Sequence, residues 1–113
     1  MSRDKLFLIS PGFSDPKHPG AVFVCPHCNA IEGLLASFPD LAAAVDVERV
    51  RFTRPRQPVI DAVGEENQSL PLLLLARNTP PDATERNGTR FVSATGRILE
   101  LLAERHGFPR LHN

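Results

Sequence analysis

The sequence predicts one α/β domain with the element order βαβαββα, its four strands forming a mixed sheet flanked by helices. Three observations lead there. Residues 5–9 and 70–76 are short continuous apolar runs, the form of strands buried on both faces. Ile31, Leu34, Leu35 and Phe38 recur at i, i+3, i+4 and i+7, as an amphipathic helix requires, and Ile98, Leu101, Leu102 and Arg105 repeat at the same spacing. At 113 residues, 42% of them hydrophobic, the chain suffices for a single domain over 1–113 and is too short for two of ordinary size.

Taken in order, the first strand, 5–9, stops at Pro11-Gly12. Residues 11–22 carry Pro11, Gly12, Pro16, Pro19 and Gly20 without periodicity and read as a loop, long for a strand-to-helix connection. It is either a surface insertion or a lip over residues 25–28. A helix then runs from Cys25 towards Phe38, with Pro26 in its first turn and Pro39 ending it. Residues 45–52 read as the second strand, with an alternation that slips between Val47 and Val50, through a bulge or through burial on both faces. Residues 58–64 open with Pro and end with Gly, as a short helix does. The third strand, 70–76, carries Pro71 at its opening. Polar residues 77–88 form a long hairpin loop with Asn87-Gly88 at its end, and 89–93 form the fourth strand. Thr95 is placed to cap the last helix, which Gly107 and Pro109 close.

Thirteen basic and thirteen acidic side chains cancel, and no run of five like charges occurs, so the electrostatic footprint of a nucleic-acid binder is missing. The most apolar run is far short of the ~20 residues that span a bilayer, so no membrane association is expected. Arg3 and Lys5 precede only Leu6-Phe7-Leu8-Ile9 before the break at Pro11, whereas a signal peptide needs roughly 7 to 15 apolar residues. The expected location is the cytoplasm.

Both cysteines of the chain lie in Cys25-Pro26-His27-Cys28, which excludes a framework of structural disulfides. A close pair in a reducing compartment serves redox exchange, binds metal or is inert. No His pair follows Cys28 at finger-like spacing, so no metal ligand set is assigned. A helix N-terminus stabilises an anion through its free N–H groups and dipole, which favours the thiolate of Cys25; protonated His27 adds to it. Cys28, one turn on, is the resolving thiol.

The Cys-x-x-Cys opening the first helix, Pro71 opening the strand after the second helix and the final strand pair and helix together resemble the thioredoxin superfamily. The Pro-His pair resembles its bacterial disulfide-oxidant branch and the compact single domain a glutaredoxin. The stretch 95–107 is similar to the last helix of the glutathione-transferase N-terminal domain. As a whole the sequence looks like a bacterial family of such proteins with no settled function. It departs from the thioredoxin pattern in having Val24 before Cys25 and no Trp, and from most glutaredoxins in having His27 where Tyr is usual. The resemblance implies a thiol–disulfide oxidoreductase acting on protein or low-molecular-weight disulfides, with no bound cofactor and glutathione as a candidate co-substrate. It implies that Pro71 is cis and faces the dithiol, that Leu70 pairs by backbone with bound substrate, and that Ser93 and Thr95 contact a γ-glutamyl carboxylate. The competing expectations are a non-catalytic binding module using the groove between Cys25 and Pro71, and a small zinc-binding protein.

Overall fold

The computed structural model describes residues 2–112. Its elements are β1 (Lys5–Ile9), α1 (Pro26–Ser37), α2 (Pro39–Ala42), β2 (Asp46–Val50), α3 (Gln57–Val63), β3 (Leu72–Leu75), β4 (Thr84–Arg86), β5 (Thr89–Val92) and α4 (Thr95–His106). The strands form one mixed sheet in the order β2-β1-β3-β5-β4. β1 runs parallel to β2 and antiparallel to β3, and β5 is antiparallel to both its neighbours.

The central strands explain the apolar runs. Leu6 and Leu8 of β1 and Leu73 and Leu75 of β3 turn to one face, where they join Cys28, Ile31, Leu34 and Leu35 from α1 and Ile98, Leu101 and Leu102 from α4. Phe7, Leu72 and Leu74 turn to the other, against Val59 and Val63 of α3. A strand covered on both sides has no polar positions to alternate. The edge strands carry charge instead, with Asp46, Glu48 and Arg49 in β2 and Glu85 and Arg86 in β4, which discourages pairing with another chain.

Five strands stand where the sequence predicts four. Asn87-Gly88 does turn a hairpin, with φ of 51° and 81°, but it joins β4 to β5, and β3 reaches β5 through the whole segment 76–88. Thr84-Glu85-Arg86 is short, polar and exposed at two of its three positions, so its strand left no hydrophobic signature. The slip in β2 is burial on both faces: the register with β1 is unbroken from Asp46 to Val50, Val47 packs with the α1 and α4 cluster, and Val50 packs with α3. Pro39 ends α1 by opening the one-turn α2. Thr95 is the first residue of α4 rather than its cap; Ala94 holds that position and no side chain caps the helix. Gly107 closes α4 in the left-handed region, φ 78°.

The long loop folds back on itself. Phe13 and Phe23 form an antiparallel bridge, with the Phe13 N–H donating to Phe23 O at 3.0 Å and the Phe23 N–H to Phe13 O at 2.8 Å. The Phe13 ring stacks on Phe52, after β2, at 4.3 Å between centroids and 5° between planes. Aromatic contact thus ties the loop to the segment after β2.

Candidate functional site

One end of the sheet gathers the ends of β1, β2 and β5 and the start of β3. In the β1–β3 register Phe7 lies across from Leu72, and continuing it brings Ile9 level with Leu70. The Leu70–Pro71 peptide is cis, as is Arg54–Pro55. Pro71 is fully buried, and Leu70 and Cys25 both pack against the cluster that contains Cys28.

Cys25 is the N-cap of α1. Its backbone is extended, at φ −74° and ψ 120°, and its Sγ accepts the N–H of Cys28 at 3.3 Å. Pro26 follows at the first helical position, where a missing N–H leaves no bond broken, and no acidic residue sits in the first turn. The sulfur of Cys25 therefore meets the helix N-terminus without competition from a carboxylate. Cys25 is half-buried, with Val24, 49% exposed, and Val22, 72% exposed, on its loop side.

Cys28 is different in kind. It is 2% exposed, and its Sγ accepts the Ile9 N–H at 3.4 Å. Burial pushes its thiol up to about 12; the Ile9 N–H opposes this, while Cys25 and, least, Glu32 add to the rise. Both thiols are free. The pair is thus asymmetric, one sulfur reachable on a helix N-terminus and one held protonated beneath it.

His27 and Pro26 are exposed on the first turn of α1. Ser93 lies on the α3 side, lining a cleft of about 70 Å³ with Ser69, Leu72 and Phe91. By the β3–β5 register it falls at the dithiol end of the sheet, as does half-buried Thr95. Among the described residues no group of three or more His, Cys, Asp or Glu side chains is placed to hold a metal ion.

Arg56 escaped the sequence reading. It is 6% exposed, immediately before α3, and its guanidinium donates to Phe52 O through Nε at 3.0 Å and Nη2 at 2.6 Å, and to Gln68 O through Nη1 at 2.9 Å. Its own N–H donates to Gln68 Oε1 at 2.7 Å, so the residue clamps the segment after β2 to the approach to β3. Burial, and then the neighbouring Arg54, lower its pKa, while Cys28 and Cys25 raise it. The only sequence signal was an arginine between two prolines, Pro55-Arg56-Gln57-Pro58, and nothing there separates it from its exposed neighbours Arg51 and Arg54.

A cleft of about 540 Å³ opens at the opposite end, beside Asp4, Arg97, Arg105 and His106. Its cations are already occupied. Arg105 holds Asp4 and the carbonyls of Arg77 and Asn78, and Arg97 holds Asp82 and Glu104. Cleft volume and chemistry therefore point to different ends, and the reactive groups lie with the dithiol.

Among the described residues no helix is long and apolar enough to cross a membrane. No curated protein and no solved structure matches the chain. Residues 3–110 match the family described as "Protein of unknown function (DUF3088)", and with nearly all its length covered the chain belongs to that family.

Proposed function

We propose that the protein is a thiol–disulfide oxidoreductase on a thioredoxin-like fold, with Cys25 as the attacking sulfur and Cys28 as the resolving one. The observation that carries this is the asymmetry of the pair: a half-buried N-cap sulfur accepting the Cys28 N–H, and a 2% exposed partner. The fold reading is supported by the βαβαββα order that remains when the one-turn helix α2 and the small edge strand β4 are set aside, with α1 and α4 on one face and α3 on the other.

The steps follow from the placement. The Cys25 thiolate attacks one sulfur of a substrate disulfide, the other leaves as thiolate, and a mixed disulfide forms on Cys25. Cys28 then loses its proton and attacks Cys25 Sγ, releasing the second substrate thiol and closing a Cys25–Cys28 bond. Two glutathione molecules are the chemical class that reopens it, becoming glutathione disulfide.

At pH 6 to 7 Cys25 is expected to alkylate at least about tenfold faster than Cys28, read by mass spectrometry of digests. Cys28→Ser is expected to accumulate mixed disulfides with glutathione or protein, and Cys25→Ser to form none. Equal, slow alkylation of both thiols would remove the proposal. Exposed Val22 and Val24 beside the pair favour a second reading, a module that binds an apolar segment without turnover. It gains if the Cys25→Ser variant holds a partner stably while the native chain shows no insulin-reductase or glutathione-exchange activity.

A further inference from the structure

Two exposed arginines beside the dithiol lack the carboxylates that other arginines of this chain have. Arg3 stands against Asp46, Arg86 against Glu66, Arg90 against Glu85 and Arg97 against Asp82. Residues 49–60 carry four arginines and no acidic residue. Of these Arg49 is met by Glu32 and Arg56 is buried among carbonyls. Arg51 and Arg54 are exposed, and among the described residues neither has a carboxylate within ion-pair distance. Arg77 and Arg110 share that condition, but they follow the far ends of β3 and α4.

The segment that carries Arg51 and Arg54 is fixed at both ends and lies next to the pair. The Ser10 N–H donates to Val50 O at 2.9 Å on one side, and Arg56 clasps the Phe52 and Gln68 carbonyls on the other. The Ile9 N–H reaches Cys28 Sγ at 3.4 Å, Ile9 lies across from Val50 in the β1–β2 register, and Arg51 follows Val50. The Phe13–Phe52 stack and the Phe13–Phe23 bridge then join this segment to the loop that leads into Cys25. There Val22 and Val24 alternate with half-buried Phe23 and turn outward, an apolar pair left in water.

We infer that this rim, Arg51 and Arg54 with Val22 and Val24, is the docking surface for an acidic polypeptide segment that brings its disulfide to Cys25. Delivery to Cys25 rests on the redox reading; the surface itself does not. Unpaired guanidinium groups offer planar forks that match carboxylates, which sets the charge of the partner. The arginines and the valines stand on two segments joined by an aromatic stack, so a ligand that touches both must extend across it and present apolar side chains as well as carboxylates. A polypeptide segment meets both demands. Exposed Lys17, His18 and His27 lie on the same side of the charge balance, and Asp15, whose Oδ1 accepts the Lys17 N–H at 3.0 Å, is the one carboxylate of residues 11–28. At the sulfur, the Cys25 thiolate bonds to one sulfur of the segment's disulfide, and the other leaves with the electron pair of the broken bond.

Two short peptides serve as probes, each with an apolar core and a central cysteine in mixed disulfide with β-mercaptoethanol, one flanked by Glu and the other by Lys. The rate of each with the reduced native chain is divided by its rate with a free small thiol, which removes the peptide's own reactivity. The native chain is expected to favour the Glu-flanked peptide about tenfold at low salt, with the preference shrinking as salt screens the rim. Arg51→Glu combined with Arg54→Glu should abolish or invert it, and because both residues are exposed the urea midpoint should hold. No preference in the native chain, or one that the double variant keeps, overturns the inference.

A second measurement needs no reactive sulfur. Cys25→Ser is titrated with the same two peptides carrying Ser in place of Cys, and backbone amide shifts are followed. The Glu-flanked peptide should move the signals of residues 22–25 and 51–54, and the Lys-flanked one should not. Equal responses to both peptides, signals that move elsewhere, or no response at all overturn the inference. Should neither mixed disulfide react with the native chain, the redox reading itself fails, and the titration alone then decides whether the rim receives an acidic segment.

Discussion

Two charges are buried at opposite ends of one sheet, and they are treated in opposite ways. Asp4, 3% exposed, receives Arg105 through two hydrogen bonds of 2.7 and 2.9 Å, the Ala76 N–H at 2.9 Å and His106 Nε2 at 2.8 Å. Burial pushes its carboxyl up, but these donors outweigh it and hold the group below its ordinary range. Arg56, just as dry, receives carbonyls and no carboxylate. The Asp4 cluster joins the start of β1, the end of β3 and the last turn of α4, and its charges are met on site, so it acts as a fastening. Arg56 clasps the Phe52 and Gln68 carbonyls instead.

Opening the closed cluster is expected to have the largest effect on stability. Asp4→Asn leaves Arg105 without its anion and should cost roughly 3 to 5 kcal/mol in urea unfolding, while the ratio of Cys25 to Cys28 alkylation rates stays within about twofold. Because the folded carboxyl lies below its ordinary range, its stabilising contribution is present above about pH 4 and is lost as pH falls through the folded value. The native urea midpoint should therefore drop between about pH 5 and 2, and Asp4→Asn should drop less. A cost under about 1 kcal/mol, or a parallel pH dependence in both chains, would contradict a fastening role.

The two ends also differ in how legibly the sequence records them. Cys25, Pro26 and Cys28 announce themselves by spacing, because a helix start requires a particular residue order within one turn. Leu70 and Pro71 are found from the apolar run they open, and they stand just before β3. Arg56 and Asp4 leave no such trace: each owes its role to burial produced by residues far along the chain, Gln68 for one and Arg105 for the other, separated by 12 and 101 positions. Charge in a sequence reads as surface until tertiary contacts say otherwise. β4 went unread for a related reason, since a three-residue polar strand is made by its neighbour β5 and by the Asn87-Gly88 turn rather than by its own pattern. Of the two readings of the 11–22 segment, the Phe13–Phe52 stack and the Phe13–Phe23 bridge favour a wall beside the dithiol over a free insertion.

That wall gives an intermediate effect. Phe13→Ala removes a half-buried ring from a stack with Phe52 and should cost roughly 2 kcal/mol, less than a fully buried Phe would. More telling is the access it opens to Cys25. A bulky maleimide should gain more in rate than small iodoacetamide does, because only the larger reagent is hindered by the loop. Equal gains for both reagents would mean that the loop packs nearby without shielding the sulfur.

The smallest effect is expected from the ion pair between α1 and β2. Arg49 meets Glu32 through Nε at 2.8 Å and Nη2 at 2.6 Å, but its side chain is 46% exposed, so water and salt screen the attraction. Glu32→Gln should cost under about 1 kcal/mol, with even that difference shrinking at high salt. It also removes a negative charge from the neighbourhood of Cys28, but Glu32 is the weakest of the influences on that thiol and burial the strongest. Cys28 should therefore remain the slow thiol in Glu32→Gln. If it alkylated as fast as Cys25, charge rather than burial would govern the asymmetry of the pair.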